Sequence, residues 1–185
     1  EPKNYSKREQ TDFCLSTELE VRQIRGFEGN HALDTSKDIL LVNSGYDSDL
    51  IVKIAENKNH AKKIQLLGFP SLRAYMFQQN VLRAHKAHES IGISITDTNS
   101  TILAPANDPF ATAHEIQTKI NSLGSISNLY MSPLATKAQL VGMVLYHILG
   151  KAPCPTSIIF PFSRCYSQET SVGMARTWLY TLEFQ

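Results

Sequence analysis

From Asp38 onward, short apolar runs alternate with stretches of helical periodicity, and this alternation constrains the fold more than any other feature of the chain. The runs are "DILLVNS" (38–44), "KKIQLLGF" (62–69), "TILAPA" (101–106), "SNLYMS" (127–132) and "TSIIFPF" (156–162). The first, "DILLVNS", is a short continuous apolar run, as in strands buried on both faces. Between them the spacing predicts helices over 49–59, 71–88, 109–123 and 136–149. Asp108-Pro109 supplies an N-cap followed by proline at the first helical position, and Gly124 and Gly150 close the last two. Strand and helix in turn argue for an α/β domain with a mostly parallel sheet covered by helices.

"ARTWLYTLEF" (175–184) alternates like a further strand. No crossover helix fits between it and 156–162, so the two are expected to pair antiparallel at a C-terminal edge, joined by the 163–174 loop. The expected fold is therefore a Rossmann-like three-layer sandwich with a sheet of about six strands. "IGISITD" (91–97) fits either a strand or a loop. Residues 13–27 mix signals and hold a short strand at most. Residues 1–37 are expected to be a lead-in segment packed on the domain that spans 38–185.

Lys and Arg (18) nearly balance Asp and Glu (17) over 185 residues, and no basic run interleaves with aromatics. An extended nucleic-acid surface is not expected. The longest apolar stretch, "LVGMVLYHIL", is too short to span a bilayer, so no membrane partner is expected. The chain begins at Glu1 without a methionine, and "EPKNYSKREQ" has no hydrophobic signal region. It reads as a domain cut from a longer protein, with neighbouring domains as partners. Cys14, Cys154 and Cys165 are an odd count without CxxC spacing, which suits reduced thiols in a cytoplasmic protein. His85 and His88 lack a third ligand, so no metal is expected, and no cofactor fingerprint is present.

Open α/β sheets bind ligands at the carboxyl ends of strands where the strand order reverses. With order 3-2-1-4-5-6, counted from 38–44, the loops at that reversal are "GYDSD" (45–49) and "SPLATK" (132–137). In the first, Gly45 permits close backbone approach to a ligand, Tyr46 lines the turn, and Asp47 or Asp49 holds a ribose hydroxyl or accepts a proton. Alternatively, Asp47 or Ser48 caps the helix. In the second, Pro133 stiffens the turn, Ser132 and Thr136 offer hydroxyls, and the helix amides favour an anion. Lys137 opposes the helix dipole unless a phosphate or carboxylate neutralises it or its stem carries the ammonium into solvent. A third candidate is "SRCYSQETSVGMARTW" (163–178), a lid or an interaction surface. There Arg164 and Arg176 suit phosphate or carboxylate capture, and Tyr166, Glu169 and Thr170 add hydrogen-bonding groups.

"NLYMSPLATKAQLVGMVLYHI" resembles a motif of the CRISPR-associated Rossmann-fold (CARF-like) domains that sense oligonucleotide messengers. The resemblance implies that Thr136 and Lys137 lie against ligand phosphates. Those domains favour glycines before the Thr-Lys pair, where this chain has Pro133, Leu134 and Ala135. "GFEG" (26–29), "GYDSD", "SPLATKAQ" and "RTWLY" are also similar to a set of bacterial Rossmann-like proteins, which implies the fold alone.

The leading expectation is a ligand-sensing regulatory domain for a phosphorylated small molecule, with a nucleotide foremost. One alternative is a nucleotide or sugar-phosphate hydrolase or transferase, with Asp47 as acid or base and Lys137 stabilising charge; no catalytic residue can be assigned from a Ser-His-Asp or Cys-His order. Another is an assembly domain that binds protein through the 163–178 loop. A homodimer is compatible with all three.

Overall fold

The computed structural model describes residues 16–86, 92, 97, 99–150, 152–166 and 176–183. The strands are β1 (Ser16–Gln23), β2 (Ile39–Asn43), β3 (Lys62–Gly68), β4 (Thr101–Ala104), β5 (Leu129–Pro133) and β6 (Thr156–Tyr166). The helices are α1 (Ser48–Asn57), α2 (Ala74–Lys86), α3 (Pro109–Ser122) and α4 (Lys137–Ile148). One six-stranded sheet has the order β1-β6-β5-β2-β3-β4, parallel throughout except for the antiparallel β1–β6 pair.

Alternate residues of the central strands feed two separate cores. Ile39 and Leu41 of β2, with Leu129 and Met131 of β5, face Ile116 and Ile120 of α3 and Met143 and Tyr146 of α4. Leu40 and Val42, with Tyr130, face Ile51, Ile54 and Ala55 of α1. Strands β2 and β5 are buried at every position, which is why they read as continuous apolar runs. Each fully buried aliphatic side chain contributes roughly 1.5–3 kcal/mol of transfer free energy. The α3–α4 contact is close: a Cβ at Gly142 would stand 2.6 Å from the Pro109 carbonyl oxygen and 2.6 Å from Thr112 Cβ. The result is the α/β three-layer sandwich of Rossmann-like type that the alternation predicts.

Two expectations need correction. The strand antiparallel to β6 is β1, with Ser16 opposite Tyr166 and Gln23 opposite Ile159. Residues 176–183 of the expected sixth strand form no strand, and 175 and 184 lie outside the described residues. A sheet edge accepts any strand whose pattern and reach suit it, and the lead-in gains more there. Val21 packs on the α1-side core, and beyond the strand Ile24 and Phe27 pack on the other. The Ile24 amide also continues the ladder to the Ile158 carbonyl at 2.8 Å.

Helix α2 starts later than the periodicity suggests. Of the apolar residues in 71–88, Leu72, Tyr75 and Leu82 are exposed while Met76 is buried, in a stripe with Asn80 and Ala84. A short amphipathic pattern with mixed residues can be phased in more than one way, and packing against α1 and β3 chooses here.

At the amino end of the sheet a polar hub closes the fold. Asn128, fully buried, accepts at Oδ1 from the Ala32 amide (2.7 Å) and lies 3.2 Å from His31 Nδ1. Its Nδ2 lies 2.7 Å from Asp38 Oδ1 and within reach of the Ala32 and Asp34 carbonyls. Asp38 Oδ2 meets His60 Nε2 at 3.1 Å. Burial raises the Tyr130 phenol above its usual range, with Asp38 adding to the effect. Desolvation lowers the Lys58 ammonium, partly offset by Asp38, and Lys58 Nζ sits 3.9 Å from the Tyr130 ring centroid.

Candidate functional site

The reversal of strand order falls between β2 and β5. They pair in parallel with Asn43 opposite Pro133, so both strands end level and their loops leave side by side. The Leu134 amide donates to the Asn43 carbonyl at 3.0 Å, carrying the ladder one residue into the loop. A Cβ on Gly45 would stand 1.9 Å from the Leu134 carbonyl oxygen. The two loops predicted to adjoin therefore touch. The close approach at the Gly45 backbone is made by the neighbouring loop.

A cleft of about 90 Å³ opens at this junction. Gly45, Tyr46, Leu134, Ala135 and Thr136 supply two walls. Gly68, Ser71, Leu72 and Ala106 come from the carboxyl ends of β3 and β4, and Met76 and Asn80 of α2 with Gln139 of α4 complete it. Tyr46 bridges to α2 by donating its hydroxyl to the Met76 carbonyl at 3.3 Å.

The predicted residues divide sharply. Gly45, Tyr46 and Thr136 line the cleft. Thr136 is also the N-cap of α4: its Oγ1 accepts from the Gln139 amide (3.2 Å) and donates to the Ala106 carbonyl (2.5 Å), so the hydroxyl expected to meet phosphate is already engaged. Asp47 is the N-cap of α1. It is 8% exposed, and its Oδ1 accepts from the Asp49 and Leu50 amides at 3.0 and 3.3 Å. Of the two expected caps, Asp47 is the one used, and Ser48 is the first helical residue.

Ser132 is fully buried on β5, and its Oγ has no partner; among the described lining of the cleft it does not appear. Lys137 is the first residue of α4 and is exposed. The Gln139 amide is capped by Thr136, so the amides of Lys137 and Ala138 remain for an anion approaching the helix start. Arg164 and Tyr166 end β6 at the same carboxyl edge, as β6 runs parallel to β5; only their backbone is described. The 163–178 loop proves to be strand up to Tyr166, while Glu169 and Thr170 lie outside the described residues. Arg176 is exposed and is not among the described lining of the cleft. His85 is exposed and His88 lies outside the described residues.

Asn80 and Gln139 escape sequence reasoning. Asn80 sits in the middle of the buried α2 stripe, and its Oδ1 has no hydrogen-bond partner. The signal was a polar residue at i+4 from Met76 and i−4 from Ala84, visible only once the helix is phased. Gln139 is fully buried and its Nε2 donates to the Ala104 carbonyl at 3.2 Å, a bond no local pattern reveals.

A larger hollow of about 280 Å³ lies between α3, α4 and residues 181–183, lined by Phe110, Leu145, Leu149 and Leu182 among others. It is mostly apolar and is not built on strand-to-helix loops, so it lacks the helix-start amides of the cleft. Among the described residues no cluster of three or more metal-binding side chains forms, and no helix is long and apolar enough to cross a membrane. No protein-family model and no curated protein matches the chain.

Proposed function

We propose that this protein is a ligand-sensing regulatory domain that binds a phosphorylated small molecule, a nucleotide foremost, and acts on neighbouring domains of a longer cytoplasmic protein. The observation that carries the proposal is the cleft at the strand-order reversal, between the loops after β2 and β5. Open α/β sheets place ligands at this crevice. The start of α4 beside it offers amides and a cationic side chain, Lys137, to a phosphate. Binding is favoured over acid–base chemistry by Asp47, since that carboxylate caps α1. The resemblance of "NLYMSPLATKAQLVGMVLYHI", at Thr136 and Lys137, to CARF-like domains points the same way.

The test is Lys137→Ala, with a panel of nucleoside mono- and triphosphates titrated by calorimetry and thermal shift. Loss of a charge-assisted bond worth on the order of 1.5–3 kcal/mol lowers affinity roughly ten- to a hundredfold. The ligand-free variant keeps or slightly raises its melting temperature, since a cation leaves the positive end of the helix dipole. Unchanged affinity in the variant would remove Lys137 from the site. Turnover of any panel member by the wild type would replace the sensor with an enzyme.

A further inference from the structure

We propose that the cleft takes the uncharged, hydrogen-bond-donating edge of a nucleobase-sized heterocycle, and that Asn80 is the residue that reads it. This rests on the nucleotide-binding function proposed above and names which end of the ligand enters.

The cleft's own chemistry separates the two ends. Among the described residues its lining carries no charged side chain. A phosphate pushed inside would lose its hydration without gaining a cation, which is strongly unfavourable. The phosphate therefore belongs at the rim, toward the start of α4 and Lys137, and a neutral group belongs within. At about 90 Å³ the space is well below the roughly 300 Å³ of pockets that enclose a whole ligand. It admits one edge of a ring rather than an entire nucleotide.

Of the polar groups there, Asn80 has hydrogen-bonding capacity to spare. Gln139 is tied to the Ala104 carbonyl, Thr136 to the Ala106 carbonyl and Gln139 amide, and the Tyr46 hydroxyl to Met76. Asn80 is only 7% exposed, on the stripe α2 turns inward, and its Oδ1 is buried without a partner. Buried polar atoms in native proteins are nearly always paired, so a buried oxygen kept unpaired beside a cleft calls for a partner from outside the chain. A carboxamide offers an acceptor with a donor next to it. That pair complements the adjacent N–H donor and ring-nitrogen or carbonyl acceptor on the edge of a heterocyclic base.

The experiment compares ribose 5-phosphate with nucleoside 5′-monophosphates carrying each of the four bases, titrated calorimetrically into wild type, Asn80→Leu and Asn80→Ala. The wild type is expected to bind at least one nucleotide more tightly than ribose 5-phosphate. Both variants should lose roughly tenfold or more of that preference while holding ribose 5-phosphate as before. Without ligand, the leucine variant should melt at or above wild type, because a buried amide oxygen without a partner gives way to an apolar group of similar shape. Equal wild-type affinity for sugar phosphate and nucleotides, or a preference that survives both substitutions, overturns the role of Asn80 and leaves phosphate binding standing. Lower melting of both ligand-free variants also overturns it, making Asn80 a structural residue. If none of the compounds binds wild type, the nucleotide function falls and this inference with it.

Discussion

Replacing Gly45 with alanine is expected to lower stability by about 3 kcal/mol or more and to abolish binding at the cleft. The added Cβ would stand 1.9 Å from the Leu134 carbonyl oxygen and 3.2 Å from the Ala135 Cα, all of it backbone that cannot rotate away. Relief requires moving the loop after β5 away from the loop after β2. That strains the bond from the Leu134 amide to the Asn43 carbonyl and deforms a cleft whose two walls are these loops. Overpacking usually costs about 1–3 kcal/mol, and a clash with backbone on both sides belongs at or above the top of that range. The control is Gly124→Ala: no atom lies within 4 Å of its added Cβ, and its change should stay within roughly 0.5–1 kcal/mol. Urea unfolding of both variants decides the matter. Equal midpoints would mean that the two loops are not held together as described.

The second large effect is expected at the opposite end of the sheet. Asn128→Ala removes the buried amide that faces the Asp38 carboxylate at 2.7 Å and the Ala32 amide at 2.7 Å. It leaves Asp38, itself 2% exposed, with His60 Nε2 as its one ring-nitrogen contact. Leaving a buried carboxylate and a part-buried backbone amide each short of a hydrogen bond costs about 3–5 kcal/mol together. At this chain length that corresponds to a drop of roughly 6–20 °C in melting temperature. Asn128→Asp keeps the shape and the Oδ1 acceptor but sets a second carboxylate against the first, so it should be at least as damaging. A wild-type melting curve for Asn128→Asp would show that Asn128 and Asp38 do not meet as described. Neither variant touches the cleft, so any remaining folded protein should bind ligand with unchanged affinity, which separates this hub from the functional site.

Much of this architecture is legible without coordinates because its signals are local. "DILLVNS" and "SNLYMS" are continuous apolar runs because β2 and β5 are buried on both faces. Asp108-Pro109 announces the start of α3 because a carboxylate and a proline each satisfy the end of a helix in a way no interior position rewards. The location of the cleft followed too, since short strand-to-helix connections leave few strand orders open, and β2 and β5 do stand together.

What the sequence by itself determined, then, is the element order, the parallel core of the sheet and the end of it where two loops meet. Tertiary structure alone decided what those loops do. Gly45 serves a close approach between loops, because the Asn43–Pro133 register brings a carbonyl to its Cα. Asp47 and Thr136 spend their oxygens on helix amides, a choice that depends on backbone angles at each cap. The edge beside β6 went to β1 rather than to "ARTWLYTLEF", because alternation marks a strand without naming its partner. Asn80 came to face the cleft because packing against α1 and β3, a contact between residues distant in sequence, set the rotation of α2 about its axis. Local free energies write the elements into the chain; which side chains meet depends on register and rotation, and those are chosen only when the layers pack.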